Sequence, residues 1–253
     1  MSPFEAVAII AAGLAAGTIN TIVGSGSLVT FPTLLAFGYP PVVANVSNTL
    51  GLVPGAISGA VGYRRELVGQ RSRAIPLAVA AGAGGLTGGV LLLALPESAF
   101  DRIVPVLILF ACALMALQPR IAKALARRRP ESADGPDRPI ALYLGIYLTG
   151  IYGGYFGAAQ SVILLALLGI LVADDLQRLN GLKNVLAAVI NGVAAVLFIL
   201  FAPVDWQVAL LLAIGSIVGG QVGASIGRRM PPQLLRVAVI SIGTIVALRL
   251  LAG

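Results

Sequence analysis

Backbone amides laid bare beside small hydroxyls can hold an anion, and the run Gly24, Ser25, Gly26, Ser27 offers both at a break in a long apolar stretch. A helix starting at such a break points the positive end of its dipole at it, which adds to the attraction. Asn20 stands just before the break. Asn48 and Thr49 follow at the start of the next apolar segment, and a second break later in the chain carries Gln160, with Lys183 and Asn184 after it. Asn48 and Asn184 lie about 136 residues apart and occupy matching places after the two breaks, as a symmetric site would require. Lys183, one of only two lysines, fits two roles: its charge draws an anion, or it anchors the chain at the membrane surface by extending its head to water.

In hydrocarbon every backbone donor and acceptor needs a partner, so polar residues inside apolar segments face protein or a watery cavity. Thr18, Thr21, Thr30, Asn45 and Ser47 join the inward set in the first half, and Tyr152, Tyr155, Ser161, Asn180 and Asn191 join it in the second. Ser58, Thr87, Ser216 and the glycines at 84, 85, 88, 89, 219, 220 and 223 read instead as packing residues that let helices approach closely.

What is missing narrows the chemistry. The chain has no histidine and one cysteine, Cys112, so no Ser-His-Asp or Cys-His device and no zinc site can be assembled. All ten acidic residues fall at segment ends or in loops, which leaves no buried carboxylate for acid-base work or a proton relay. The G-S-G at Gly24 to Gly26 lacks the G-K-[ST] of a phosphate loop. No enzyme activity and no cofactor are expected.

The elements that must position these residues are membrane helices. Of 253 residues, 58% are apolar and the mean hydropathy is +0.98, more apolar surface than one soluble core of this size could hide. The start, MSPFEAVAII, lacks a basic leader region, so residue 4 onward reads as membrane segment. Gly17 matches Gly150 and Gly24 matches Gly157 about 133 residues on, and Gly85 and Gly89 match Gly219 and Gly223 at about 134. This drift of one residue marks an internal duplication. The expected fold is an all-α polytopic membrane protein of two inverted repeats, each a glycine-broken helical hairpin plus three transmembrane helices. Residues 1–117 form the first repeat, 118–138 a cytoplasmic basic linker, and 139–253 the second repeat.

The hairpins are expected over Phe4 to Gly38 and Pro139 to Val172, the first competing with one long tilted helix. Spans are expected at Val42 to Gly62, Ala74 to Leu95, Ala99 to Leu117, Lys183 to Ala202, Trp206 to Ile226 and Leu235 to Gly253. The net charge of +7 comes from clusters in short loops, not from one soluble face, which argues against a nucleic-acid partner. Arg64, Arg65, Arg71 and Arg73 form one cluster, Arg120 to Arg138 a second, and Arg228, Arg229 and Arg236 a third. Placing the first two in the cytoplasm brings the third there as well, consistent with the positive-inside rule.

The stretches GLAAGTINTIVGSGSLVTFPTLLAFGYPP, ANVSNTLG, GIYGGYFGAAQ and LNGLKN resemble the TauE/SafE family of sulfite and sulfonate exporters, also called the toluene-sulfonate uptake permease family. The likeness runs over essentially the whole chain. It implies a carrier of small anions, commonly sulfite, sulfoacetate or related organosulfonates, in the inner membrane of a bacterium, with the bilayer as partner and homo-oligomerisation left open. The family's first break usually reads as a longer glycine run, which Ser25 and Ser27 interrupt here. On this reading the breaks meet near the midplane, and the amides and hydroxyls of Ser25, Gly26 and Ser27 hold the anion opposite Asn48, Asn184 and Lys183. Two rivals stand beside it: a passive anion channel built from the same donors, and a membrane assembly factor with no transported solute.

Overall fold

The computed structural model describes residues 1–22, 24–127, 139–226 and 233–252, and among them every regular element is an α-helix. Arg128, Arg129 and Arg138 of the linker, and Arg228 and Arg229 of the third basic cluster, lie outside the described residues. In chain order the helices are α1 (Pro3–Ile22), α2 (Ser27–Ala36), α3 (Pro41–Gly62), α4 (Arg71–Ala94), α5 (Glu97–Arg127), α6 (Pro139–Tyr155), α7 (Gln160–Leu171), α8 (Leu176–Phe201), α9 (Trp206–Ile226) and α10 (Gln233–Ala252). Five of the described helices, α1, α4, α5, α8 and α9, are long and apolar enough to cross a membrane.

The first hairpin closes on itself. α2 returns along α1 until the Phe4 and Phe37 rings meet edge to face, 6.4 Å between centroids, and the Tyr39 hydroxyl donates to Glu5 Oε1 at 2.8 Å. A single tilted helix over this stretch is therefore excluded. α6 and α7 fold back the same way, with Leu142 and Ile146 packed into one buried cluster with Leu164, Leu165 and Leu168. Two boundaries differ from the sequence reading. α5 continues past residue 117 to Arg127, and α8 starts at Leu176, well before Lys183, because the Asp175 side chain caps it by accepting the Gln177 amide at 2.9 Å.

Small residues fix which helices touch. Gly13 packs on Leu212 and Gly17 on Ser216, so α1 runs parallel to α9; Gly51, Gly55 and Gly62 meet Leu212, Ser216 and Ala224, so α3 runs parallel to α9 as well. The other half repeats the arrangement. α4 lies parallel to α6, with Gly84 on Gly150 and Gly88 on Ile151, and parallel to α8, with Gly85 on Ile190 and Gly89 on Ala194. Each half thus lends one glycine-rich helix to the other: α9 packs with α1 and α3, and α4 with α6 and α8. α3 and α8 meet between the groups and run antiparallel. Asn180 near the start of α8 donates to the Tyr63 hydroxyl beyond the end of α3 at 2.9 Å, and the Asp205 amide beyond the end of α8 donates to Ser47 near the start of α3 at 2.9 Å.

One polar join ties the second hairpin to α4 and α8. Asp174, between α7 and α8, pairs with Arg73 at 2.9 Å and Arg178 at 2.8 Å. Burial alone would raise the Asp174 carboxyl, but the Asp175 amide and the two guanidinium groups outweigh it and hold the carboxyl below its ordinary value. A depressed carboxylate contributes stability that is present above its unfolded pKa and lost as the pH falls through the folded one. Asp174→Asn is expected to lower stability at neutral pH by about 0.5 to 1 kcal/mol, as partly exposed pairs do. Thermal unfolding in detergent would read this, with the gap to the unsubstituted protein closing below about pH 4.

Candidate functional site

Both breaks use backbone that ordinary side chains resist. Gly24 has φ 94°, Gly157 has φ 76° and Ala159 has φ 59°, all in the left-handed region that glycine enters freely. Gly24 also sits so close to Ser161 that any Cβ would overlap that side chain. The first break therefore touches the first turn of α7, in the other half. Asn20 holds this break, its Oδ1 accepting the Gly26 amide at 2.7 Å, which leaves the Asn20 NH2 group as a donor. At the second break the Tyr152 hydroxyl donates to the Ala158 carbonyl.

A small cavity lies between the breaks, lined by Asn20, Thr21, Ser27, Ala56, Gly157, Gln160, Ser161, Asn184, Ala187 and Asn191. It offers about 20 Å³ to the centre of a water-sized sphere, room for about one water and too little for a sulfonate. The first turns of α2 and α7 both open onto it, through Ser27 and Ser161, so two helix N-termini share one polar cavity. Among the described residues no carboxylate lines it. Asn184 is 5% exposed and its Nδ2 has no hydrogen-bond partner, a state that costs about 1 to 3 kcal/mol for a buried donor. Gln160 Nε2 donates to Asn191 Oδ1 at 2.8 Å while Gln160 Oε1 is unpaired. The Asn20 and Asn184 NH2 groups and the Ser27 and Ser161 hydroxyls, donors from both halves, line one space where a solute could meet them.

Of the residues picked from the sequence, Asn20, Ser27, Gln160 and Asn184 line the cavity. The others stand apart from it. Gly26 has its amide engaged by Asn20, and its missing Cβ makes room for the backbone of Ala16. Ser25 turns its hydroxyl to the Met115 sulfur at 3.4 Å. Asn48 accepts from the Thr30 hydroxyl, bracing α3 against α2, and Thr49 donates to the Asn45 carbonyl at 2.9 Å. Lys183 is wholly buried, and its Nζ donates to the carbonyls of Asn20 at 3.3 Å and Thr21 at 3.4 Å. It is therefore no surface anchor. Its head rests against the carbonyl end of α1.

Thr21, Ser161 and Asn191 line the cavity too, though the sequence places them only among the inward polar residues. Asn184, Ala187 and Asn191 stand at i, i+3 and i+7 on α8, a single helix face, and that spacing is the signal that would have found Asn191.

The family model for the sulfite exporter TauE/SafE matches residues 9–250, which takes in both breaks and every cavity-lining residue. The chain belongs to the TauE/SafE family. Among its relatives, a protein called "Probable membrane transporter protein YfcA" from Escherichia coli is 26% identical over 237 residues, 93% of this chain and 86% of the relative. A probable membrane transporter protein from a Sinorhizobium species is 27% identical over 249 residues, 95% of this chain and 90% of that one. A third from Haemophilus influenzae is 25% identical over 231 residues, 90% and 87% of the two chains. No solved structure matches significantly. Family and relatives make this TauE/SafE member a multi-pass membrane transporter, and its cavity is the polar meeting point of its two breaks.

Proposed function

We propose that the chain is a secondary transporter of small anions, sulfite, sulfoacetate or related organosulfonates, working as an exporter in the bacterial inner membrane by alternating access. The observation that carries this reading is the cavity itself: uncharged donors from both halves and the first turns of two helices surround a space with no carboxylate. Several neutral donors spread the charge of an anion over many hydrogen bonds and so lower the desolvation cost of holding it. The cavity has room for about one water, so passage of an anion requires it to widen. The breaks widen it when the halves rock, and the exchanged helices α4 and α9 make each half move against a helix of the other.

The antiparallel course of α3 and α8 supports repeats inverted across the bilayer. Arg73 in the first turn of α4, Asp174 and Arg178 share one face, which the reading makes cytoplasmic together with the basic loops. Purified protein in liposomes is expected to take up labelled sulfite or sulfoacetate along a saturating curve and to accelerate when unlabelled solute is loaded on the far side. Flux that stays linear with concentration would favour a channel. No flux and no binding of sulfite, sulfoacetate or methanesulfonate would favour an assembly factor.

A further inference from the structure

A fully buried lysine head needs compensating negative charge or dipoles, and among the described residues Lys183 finds only the carbonyls of Asn20 and Thr21. Both ion pairs among the described residues belong to Asp174. The two carbonyls lie in the last turn of α1, where the helix dipole carries partial negative charge. Asn20 and Thr21 also line the cavity, as does Asn184, the residue next to Lys183 on α8. The buried Lys183 head thus rests on two residues that line the cavity.

We propose that Lys183 is the switchable counter-charge of the anion site: its ammonium rests on the α1 carbonyls while the cavity is contracted and turns to the anion as the cavity fills. This rests on the anion-transport reading above and adds how the site senses charge. The anion and the end of α1 compete for one ammonium, so binding of the anion loosens the hold on α1, and by linkage a tight hold on α1 weakens anion binding. The first hairpin is then released only when a negative charge is present. A neutral solute of the same shape meets the Asn and Ser donors but leaves Lys183 on α1.

The test is the ratio of affinities for an anion, sulfite or methanesulfonate, over its neutral analogue methanesulfonamide, measured by calorimetry on the purified full chain. Lys183→Gln keeps a donor for the α1 carbonyls and removes the charge; it is expected to lower that ratio roughly tenfold to a hundredfold, as loss of a charge-assisted contact does. Lys183→Arg is expected to restore the preference. A merely structural lysine would weaken both ligands alike and leave the ratio unmoved. Lys183→Met carries the same expectation, so a folding defect in one variant does not decide the matter. If the unsubstituted protein binds the anion and the charge-free variants keep its ratio, this inference falls alone; if the unsubstituted protein binds no anion, the transport reading falls and takes it along.

Discussion

Gly88→Val is expected to abolish a monodisperse folded protein, or to lower its thermal midpoint further than any polar substitution in the cavity. A Cβ at residue 88 would overlap the Ile151 carbonyl and lie 2.8 Å from the Tyr155 amide nitrogen. Both obstacles are backbone of α6, which cannot rotate aside as a side chain would. Overpacking of a well-fitted core costs about 1 to 3 kcal/mol and more where nothing yields, against a total stability of only about 5 to 15 kcal/mol. The contact also lies where α4, lent by the first half, locks onto the hairpin of the second, so parting these helices displaces the second break. Gly192→Ala is the control. A Cβ there meets nothing within 4 Å, and its size-exclusion profile and melting curve should match those of the unsubstituted protein.

Asn184→Leu should give the opposite signature, intact folding with damaged binding. The Asn184 Nδ2 group is buried and unpaired, and replacing such a donor by an apolar group of similar shape is close to neutral for stability. Where the donor meets an anion, losing it removes a hydrogen bond to a charged group, about 1.5 to 3 kcal/mol. The dissociation constant for sulfite should rise roughly tenfold to a hundredfold while the melting temperature stays within a few degrees. Asn48→Ala should do the reverse, because Asn48 serves Thr30 and not the cavity. Its stability is expected to drop by about 1 kcal/mol with sulfite affinity nearly unchanged. A large affinity loss in Asn48→Ala with none in Asn184→Leu would reassign the site.

Much of this architecture could be read from residue patterns. Gly24 and Gly157 interrupt apolar runs too long for one span, and both occupy left-handed backbone at the turns of hairpins. The exchange of α4 and α9 could not be read: paired glycines announce a close approach without naming the partner, and each half offers several equally apolar faces. The pairing of Asn48 with Asn184 misled for a simpler reason. Counted from the starts of α3 and α8, Asn48 corresponds to Lys183, and Asn184 lies one residue further on, about 100° around the helix. Only one of the two asparagines can then face the cavity. Ser25 and Gly26 sit at the break as the glycine run implies, yet the turn that places Ser27 at the cavity sends the Ser25 hydroxyl to Met115.

The claim on which the rest depends is that one anion sits between the first turns of α2 and α7, touched by both halves at once. Cys112 is the chain's single cysteine, so Ser27→Cys and Ser161→Cys can each be made in a Cys112→Ala background and labelled with a small thiosulfonate reagent, with and without sulfoacetate. Sulfoacetate is expected to slow labelling at both positions with the same half-maximal concentration, and a neutral amide of equal size to do so only at a much higher one. Labelling at either position that proceeds at one rate whatever the sulfoacetate concentration would contradict the claim.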